Sequence, residues 1–301
     1  HDTEKGISFS DAMSRFDDVF DESEIGVIKA GEATGKLHLI LFRLSVQLDK
    51  RHELNMKIFG ASVYPVAVLS VLTLVAIGML VWVLPSLLSL LSEGGVSSDS
   101  LPLATKILLA LQSLVVDFWW AILLFVAGLY GLFMAYVSSA KGATRFDYFK
   151  LTIPVVGDLF RKIYVLRFVG LLGLLIESGV AVLQALRITG NASTNRVYKL
   201  KAQEIVNEVR AGNKISDSMK DSEFLFPSEV VQMIKVGETS ANLAQVSEKI
   251  SAQYQKEVDN SLKKLTTLFE PVMILVVGLL VALMALSIMA PIFNLSQNVS
   301  V

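Results

Sequence analysis

The residues nearest to a recognisable chemical motif lie in Gly31-Glu32-Ala33-Thr34-Gly35-Lys36-Leu37, which imitates a loop that cradles nucleotide phosphates. Such a loop needs four residues between its glycines and a Lys followed by Ser or Thr. Its backbone N–H groups wrap the phosphates while the hydroxyl reaches a magnesium ion. Here three residues separate the glycines and Leu37 follows the Lys. Gly26 and Gly31 have the right spacing, yet Glu32 stands where the Lys belongs, and no strand signal precedes either glycine. The segment predicts no nucleotide site, so any ATP used in this protein's work is hydrolysed by another protein. His38 and His52 have no carboxylate cluster repeating around them and read as helix-surface residues, not metal ligands. With no cysteine in the chain, disulfides, thiol catalysis and zinc-thiolate sites are excluded. No catalytic residue, cofactor or metal site is assigned.

The sharper signal is that the Lys-x-Gly-Glu corner occurs twice, at Lys29 to Glu32 and at Lys235 to Glu238. It belongs to a longer repeat. A single shift of 206 positions overlays Gly6–Pro85 on Gly212–Pro291 without a gap, with 23 identities in 80 pairs. Ser10, Asp11 and Met13 fall on Ser216, Asp217 and Met219, and Pro65 and Pro85 fall on Pro271 and Pro291. Each copy runs from polar helical sequence into an apolar span, as in a domain duplication. The counterpart of Arg161–Arg210 would fall ahead of His1, which predicts about 50 further residues at the amino end of the encoded protein.

Within each corner, Gly31 and Gly237 are expected just after an apolar helix, where a left-handed residue lets the chain reverse. Thr34 and Ser240 are then candidates to cap the next helix, and Glu32 and Glu238 lie near its positive end. That structural role explains the motif, and a partner-binding corner built from Gly31, Glu32, Gly35, Gly237 and Glu238 is the functional alternative.

These corners must be held by a chain too apolar for an ordinary soluble protein, with 53% hydrophobic residues and a mean hydropathy of +0.56. The excess sits in three blocks, at residues 61–91, 118–140 and 268–293, each long enough to cross the hydrocarbon as a helix. Of the 27 Lys and Arg, 26 lie before Ala61 or between Lys141 and Lys264, and Lys106 alone lies between the first two blocks. The positive-inside rule therefore puts residues 1–60 and 141–267 in the cytoplasm, and the loop 92–117 and the tail 294–301 outside. A net charge of −1 gives no reason to propose nucleic acid as a partner.

Residues 141–267 read as a helical bundle without strand periodicity, so the fold class is all-α. Gly190–Asn195 reads as a turn, with Thr194 or Asn195 capping the next helix. Phe168–Ile176 looks like a fourth span but is too short and is bracketed by Arg167 and Glu177, which predicts a buried helix. Pro65 and Pro271 open the first and third spans and are candidate bends in helices that run out of the cytoplasmic domains. Gly78, Gly128, Gly131 and Gly278 are small enough to seat neighbouring spans.

With these residues in place, the chain resembles the inner-membrane platform proteins of type II secretion and type IV pilus assembly. The resemblance rests on Ala30-Gly31-Glu32-Ala33-Thr34-Gly35-Lys36-Leu37 and Val236-Gly237-Glu238, and on Tyr64-Pro65, Glu270-Pro271 and Leu101-Pro102-Leu103-Ala104-Thr105. Leu151-Thr152-Ile153-Pro154-Val155-Val156-Gly157, Arg167-Phe168 and Leu174-Leu175-Ile176-Glu177-Ser178-Gly179-Val180 add to it. Ala241 departs, since the family usually has glycine there and the first copy has Gly35. The resemblance implies a multi-pass protein of the bacterial inner membrane with two cytoplasmic helical domains. It also implies a non-enzymatic, homo-oligomeric scaffold that meets a cytoplasmic assembly ATPase, pilin or pseudopilin transmembrane helices and other inner-membrane assembly proteins. A transporter or channel subunit would predict polar residues along the spans, and a membrane-bound sensor would predict a ligand pocket in the middle segment.

Overall fold

The computed structural model describes residues 6–16, 18–86, 89 and 103–298. Among them every regular element is helical and no strand occurs. Three helices are long and apolar enough to cross a membrane, within Leu37–Ser86, Trp119–Ser138 and Leu243–Ala282, so the protein is an integral membrane protein. Residues 87–88 and 90–91 of the first apolar block, residues 92–102 of the loop that follows it and residues 299–301 of the tail lie outside the described residues, and with them Leu101 and Pro102 of the motif before the second span.

The chain divides into two units. The first joins His1–Ile58 to Val137–Leu265 and holds α1 (Phe9–Met13), α2 (Glu22–Ala33) and the opening turns of α3 (Leu37–Gly78). To it also belong α6 (Ala140–Thr152), α7 (Val156–Glu177), α8 (Val182–Ala192), α9 (Arg196–Arg210), α10 (Ile215–Lys220), α11 (Ser228–Thr239) and the first part of α12 (Leu243–Asn298). The second unit, Phe59–Tyr136 with Thr266–Val301, contains the remainder of α3 and α12 together with α4 (Leu103–Asp117) and α5 (Trp119–Ser138).

The core of the first unit forms around α7. Phe168, Val169, Leu171, Leu172, Leu174 and Leu175 are all buried, so this apolar run is an interior helix of the bundle. Glycines let a neighbour come close: a Cβ on Gly173 would stand 2.8 Å from Ser247 Cβ, and one on Gly170 would stand 3.2 Å from Ser251 Oγ. The α12 backbone therefore lies against α7 where larger residues would hold it off. Tyr198 anchors the other side, its ring against Phe226 at 5.6 Å between centroids while Phe226 meets Phe168 at 5.2 Å. The Tyr198 hydroxyl donates to the Leu225 carbonyl at 2.8 Å, and burial pushes its pKa up.

The expected turn at Gly190–Asn195 is shorter than its composition suggests. Helix α8 continues through Ala192, because Gly190 is needed for contact with α9, where its Cβ would stand 2.7 Å from that of Ala202. Asn195 then caps α9, accepting from the Val197 and Tyr198 N–H groups at 2.9 and 3.3 Å.

In the second unit, Pro65 lies inside the continuous helix α3, and a π-helical turn, Met79–Val83, follows that helix. Among the described residues, no atom comes within 4 Å of a Cβ placed on Gly128, Gly131 or Gly278. These glycines therefore seat no neighbouring span of this chain among those residues.

Candidate functional site

The twin Gly-Glu corners are built by the same four elements in each copy, a short helix, a longer helix, a tight reversal and a very long helix. In the first copy these are α1, α2, the turn at Thr34–Lys36 and α3; in the second, α10, α11, the turn at Ser240–Asn242 and α12. Both reversals use the same pair of hydrogen bonds. Gly35 N–H donates to Glu32 O at 3.2 Å and Lys36 N–H to Gly31 O at 2.9 Å; Ala241 N–H donates to Glu238 O at 3.3 Å and Asn242 N–H to Gly237 O at 2.8 Å. These bonds satisfy carbonyls that a helix end leaves without partners.

The left-handed residues are Gly35 (φ 67°) and Ala241 (φ 53°), not Gly31 and Gly237. Gly31 and Gly237 are the last-turn residues of α2 and α11, and what they supply is space. A Cβ on Gly31 would stand 2.9 Å from Ile40 Cδ1, and one on Gly237 would stand 3.2 Å from Val246 Cβ. The missing side chain lets α3 or α12 fold back against the helix it has just left. Ala241 adopts the turn that Gly35 adopts, although its Cβ crowds the backbone in that region.

The carboxylates also differ from their expected place. Neither serves the helix that follows; each reaches back to the short helix before it. Glu32 Oε1 accepts from Phe9 N–H at 2.7 Å, and Oε2 accepts from Ser10 N–H at 3.1 Å and Ser10 Oγ at 2.7 Å. Glu238 Oε1 accepts from Ile215 N–H at 2.5 Å, and Oε2 from Ser216 N–H at 3.0 Å. Each glutamate thus caps the first turn of a helix some 22 residues earlier, where exposed N–H groups favour an anion. The Ser10 hydroxyl, then the N–H groups of Ser10 and Phe9, hold the Glu32 carboxyl below its ordinary 4.5. Thr34 and Ser240 do not cap the next helix either; their hydroxyls donate to carbonyls of the preceding turn, Thr34 to Ala30 O at 2.9 Å and Ser240 to Val236 O at 2.8 Å.

The first corner sits against the second copy's helices. A Cβ on Gly26 would meet Ile188 Cγ2 at 3.4 Å, and the Lys36 ammonium lies 3.1 Å from where one would stand on Gly179, the left-handed residue (φ 87°) after α7. Arg43 pairs with Glu177 beside it. The first corner is therefore met inside this chain by Ile188 of α8 and by Glu177 and Gly179 at the end of α7. Farther along, Lys57 holds two carboxylates, Glu53 at 2.9 Å and Asp259 at 3.1 Å, and the 206-residue shift maps Glu53 onto Asp259. An open cleft lined by Asp18, Asp21, Glu24, Arg51, His52 and Asn55 adjoins α2. Two of its acids are engaged: Asp21 and Glu24 form the capping box of α2 and both face Arg51. Among the described residues no three His, Asp or Glu are grouped to hold a metal ion.

The sequence profile described as Type II secretion system (T2SS), protein F, matches residues 1–85 and 168–291, the stretches that carry the two corners. The chain belongs to this family. Relatives of this protein F family follow the chain end to end. The type IV pilus assembly protein PilC of Thermus thermophilus is 32% identical over 300 residues, which is 100% of this chain and 73% of the relative. The type II secretion system protein F of Aeromonas hydrophila is 27% identical over 302 residues, 98% of this chain and 75% of the relative. That of Pseudomonas aeruginosa is 30% identical over 298 residues, 98% and 72%.

Sequence reasoning about this family member missed the link from Glu32 to Ser10 and from Glu238 to Ser216. The signal was present: both residues of each pair are identical in the two copies and keep the same separation.

Proposed function

We propose that this protein is a non-enzymatic platform of the bacterial inner membrane, which couples a cytoplasmic assembly ATPase to the extraction and assembly of pilins or pseudopilins. Residues 1–60 and 141–267 form its two cytoplasmic domains, and residues 61–91, 118–140 and 268–293 are its spans. The observation that carries this reading is the recurrence of the capped corner at the foot of two helices, α3 and α12, each of which runs on into an apolar span. A shift imposed on either corner by a motor is relayed along a hydrogen-bonded rod, with Pro65 and Pro271 as the places where the rod bends. The work is mechanical and the hydrolysis belongs to the partner. Homo-oligomers of the platform surround the pilin helices, and other inner-membrane assembly proteins complete the machine.

The test is deletion of the gene followed by complementation with Glu32→Gln or Glu238→Gln chains. Filaments or secreted substrate disappear on deletion while pilin remains in the membrane. The detergent-solubilised full chain binds the organism's own assembly ATPase, and intact filament assembly or secretion after deletion rejects the proposal.

A further inference from the structure

Helix α6 carries a solvent-exposed face that nothing in the platform role accounts for. Lys141, Arg145, Tyr148, Phe149 and Thr152 are all exposed and fall at spacings of four, three, one and three, which is one side of an α-helix. The helix is packed against the bundle through Gly142, Ala143 and Leu151. Phe149 is 59% exposed and Tyr148 51%, the Tyr148 ring leaning on Phe224 at 5.5 Å between centroids, so the Phe149 ring, the open edge of Tyr148 and two cations share the outer face.

The acid of this helix is turned away from that face. Asp147 accepts from the Arg196 N–H at 2.9 Å and pairs with Lys150 at 3.0 Å, its side chain 13% exposed. Lys141 and Arg145 form no ion pair among the described residues. In the turn that follows α6, Val155 is 49% exposed and held at φ 67°, with Val156 N–H donating to Pro154 O at 2.7 Å. A β-branched residue in that conformation is strained, and its apolar side chain is half exposed.

Chain connectivity supplies the partner. The second candidate span ends at Ser138, and Ser139 is extended and caps α6 through Gly142 N–H at 3.0 Å. Lys141 is three residues past the span, at most ~11 Å by chain length, and a lysine side chain reaches several ångströms more. The polar layer of a bilayer is about 5–8 Å deep on each side, so this cation cannot be far from headgroups if the span is inserted. Aromatic rings with flanking cations are the composition of an interfacial helix on an anionic surface.

We propose that the Lys141, Arg145, Tyr148 and Phe149 face of α6, with Val155, lies on the membrane surface and binds anionic phospholipid headgroups. The cations meet phosphate and the Phe149 ring enters the headgroup layer, with Tyr148 at its edge. This ties α6 to the lipid surface. It requires only that α5 is inserted, not that the protein works on pilins.

Because residues 1–301 contain no cysteine, single-cysteine reporters can be placed in this chain. Phe149→Cys and, as a control, the 62% exposed Val236→Cys carry a fluorophore after reconstitution into vesicles of phosphatidylcholine alone or with about a third phosphatidylglycerol, a typical anionic surface. Headgroup-level nitroxide lipids should quench the label at 149 more than at 236, more strongly in the anionic vesicles, and less at high salt. Lys141→Glu with Arg145→Glu should abolish the anionic preference, each cation being worth about fivefold; both are exposed and without an ion pair among the described residues, so the bundle keeps its fold. Soluble glycerophosphate should not compete. Equal quenching at 149 and 236, or quenching at 149 unchanged by the double reversal, overturns the proposal. Water-exposed labels in anionic vesicles likewise overturn it and assign the face to a protein partner.

Discussion

Ser10 gives Glu32 two hydrogen bonds, its backbone N–H at 3.1 Å and its hydroxyl at 2.7 Å, across 22 residues of chain. The matching Ser216 gives Glu238 only its N–H, and its buried hydroxyl has no partner among the described residues. At the serine that each glutamate holds, the two corners share the backbone bond and differ in the hydroxyl bond. Ser10→Ala should therefore destabilise the protein by about 1 kcal/mol, while Ser216→Ala is near neutral, since removing an unbonded buried hydroxyl also removes a desolvated polar group. Thermal unfolding of the two full-length variants in one detergent compares them, and a larger loss from Ser216→Ala contradicts the assignment.

The pH dependence of the first corner has a definite sign. The Glu32 carboxyl is held below 4.5 in the folded protein, so the unfolded chain binds its proton first as pH falls. Its contribution is complete above the unfolded pKa and disappears as pH drops through the lower folded value. The gap in melting temperature between wild type and Glu32→Gln should be widest near neutrality and close in acid. Asp11 is lowered too, by Ser8 and Lys29, and its charge opposes that of Glu32, so part of the gap reports the Asp11–Glu32 repulsion. A gap that stays constant down to acid pH would mean that the carboxylate charge contributes nothing.

Ala241 occupies a left-handed position that Gly35 fills in the other copy, with φ values of 53° and 67°. A Cβ there costs ~1–2 kcal/mol, offset in part by the greater unfolded-chain entropy of glycine. Ala241→Gly should stabilise by about 0.5–1 kcal/mol and Gly35→Ala should destabilise by a similar amount. Opposite shifts in denaturation midpoint are the expected reading; shifts of one sign would show that the two turns are not alike.

How much of this was legible in the sequence depended on the range of the interaction. The spans could be read because about 20 apolar residues in a row need no tertiary knowledge. The burial of Phe168–Ile176 followed from its shortness and from the charges of Arg167 and Glu177. The corners were found by repetition but their parts were misassigned, because local capping rules look only a few residues either way. Gly31 looked like a turn glycine, and only the position of Ile40 reveals that it makes room for a helix. Glu32 looked like the start of α3, and only the fold brings the amino end of α1 to it. Thr34 sat where a cap residue belongs, but its hydroxyl was already committed to Ala30 O.

Gly31→Ala tests the close approach directly. The added methyl would lie 2.9–3.1 Å from three atoms of Ile40, a side chain that is itself fully buried. Overpacking of this kind costs about 1–3 kcal/mol. Ile40→Ala alone should also destabilise, by leaving a cavity, whereas Gly31→Ala with Ile40→Ala should recover part of the loss because the new methyl occupies part of the vacated space. A double-mutant cycle on the melting transition gives the coupling, and simple additivity would exclude the contact.

Tyr198 offers a prediction for the second bundle. Its hydroxyl donates to Leu225 O at 2.8 Å inside the aromatic group formed with Phe226 and Phe168, and the phenol is pushed well above its ordinary pKa by burial. Tyr198→Phe keeps the ring packing and deprives a buried carbonyl of its donor, so it should cost about 1–2 kcal/mol. Tyr198→Ala loses the packing as well and should cost ~3–5 kcal/mol. The stretch after Leu225 leads through Pro227 into α11 and the second corner, so loosening it should also raise amide exchange at Ile215 and Ser216, whose N–H groups are held by Glu238. Exchange confined to the neighbourhood of Tyr198, with the corner amides unchanged, would show that the bundle core and the corner are energetically independent.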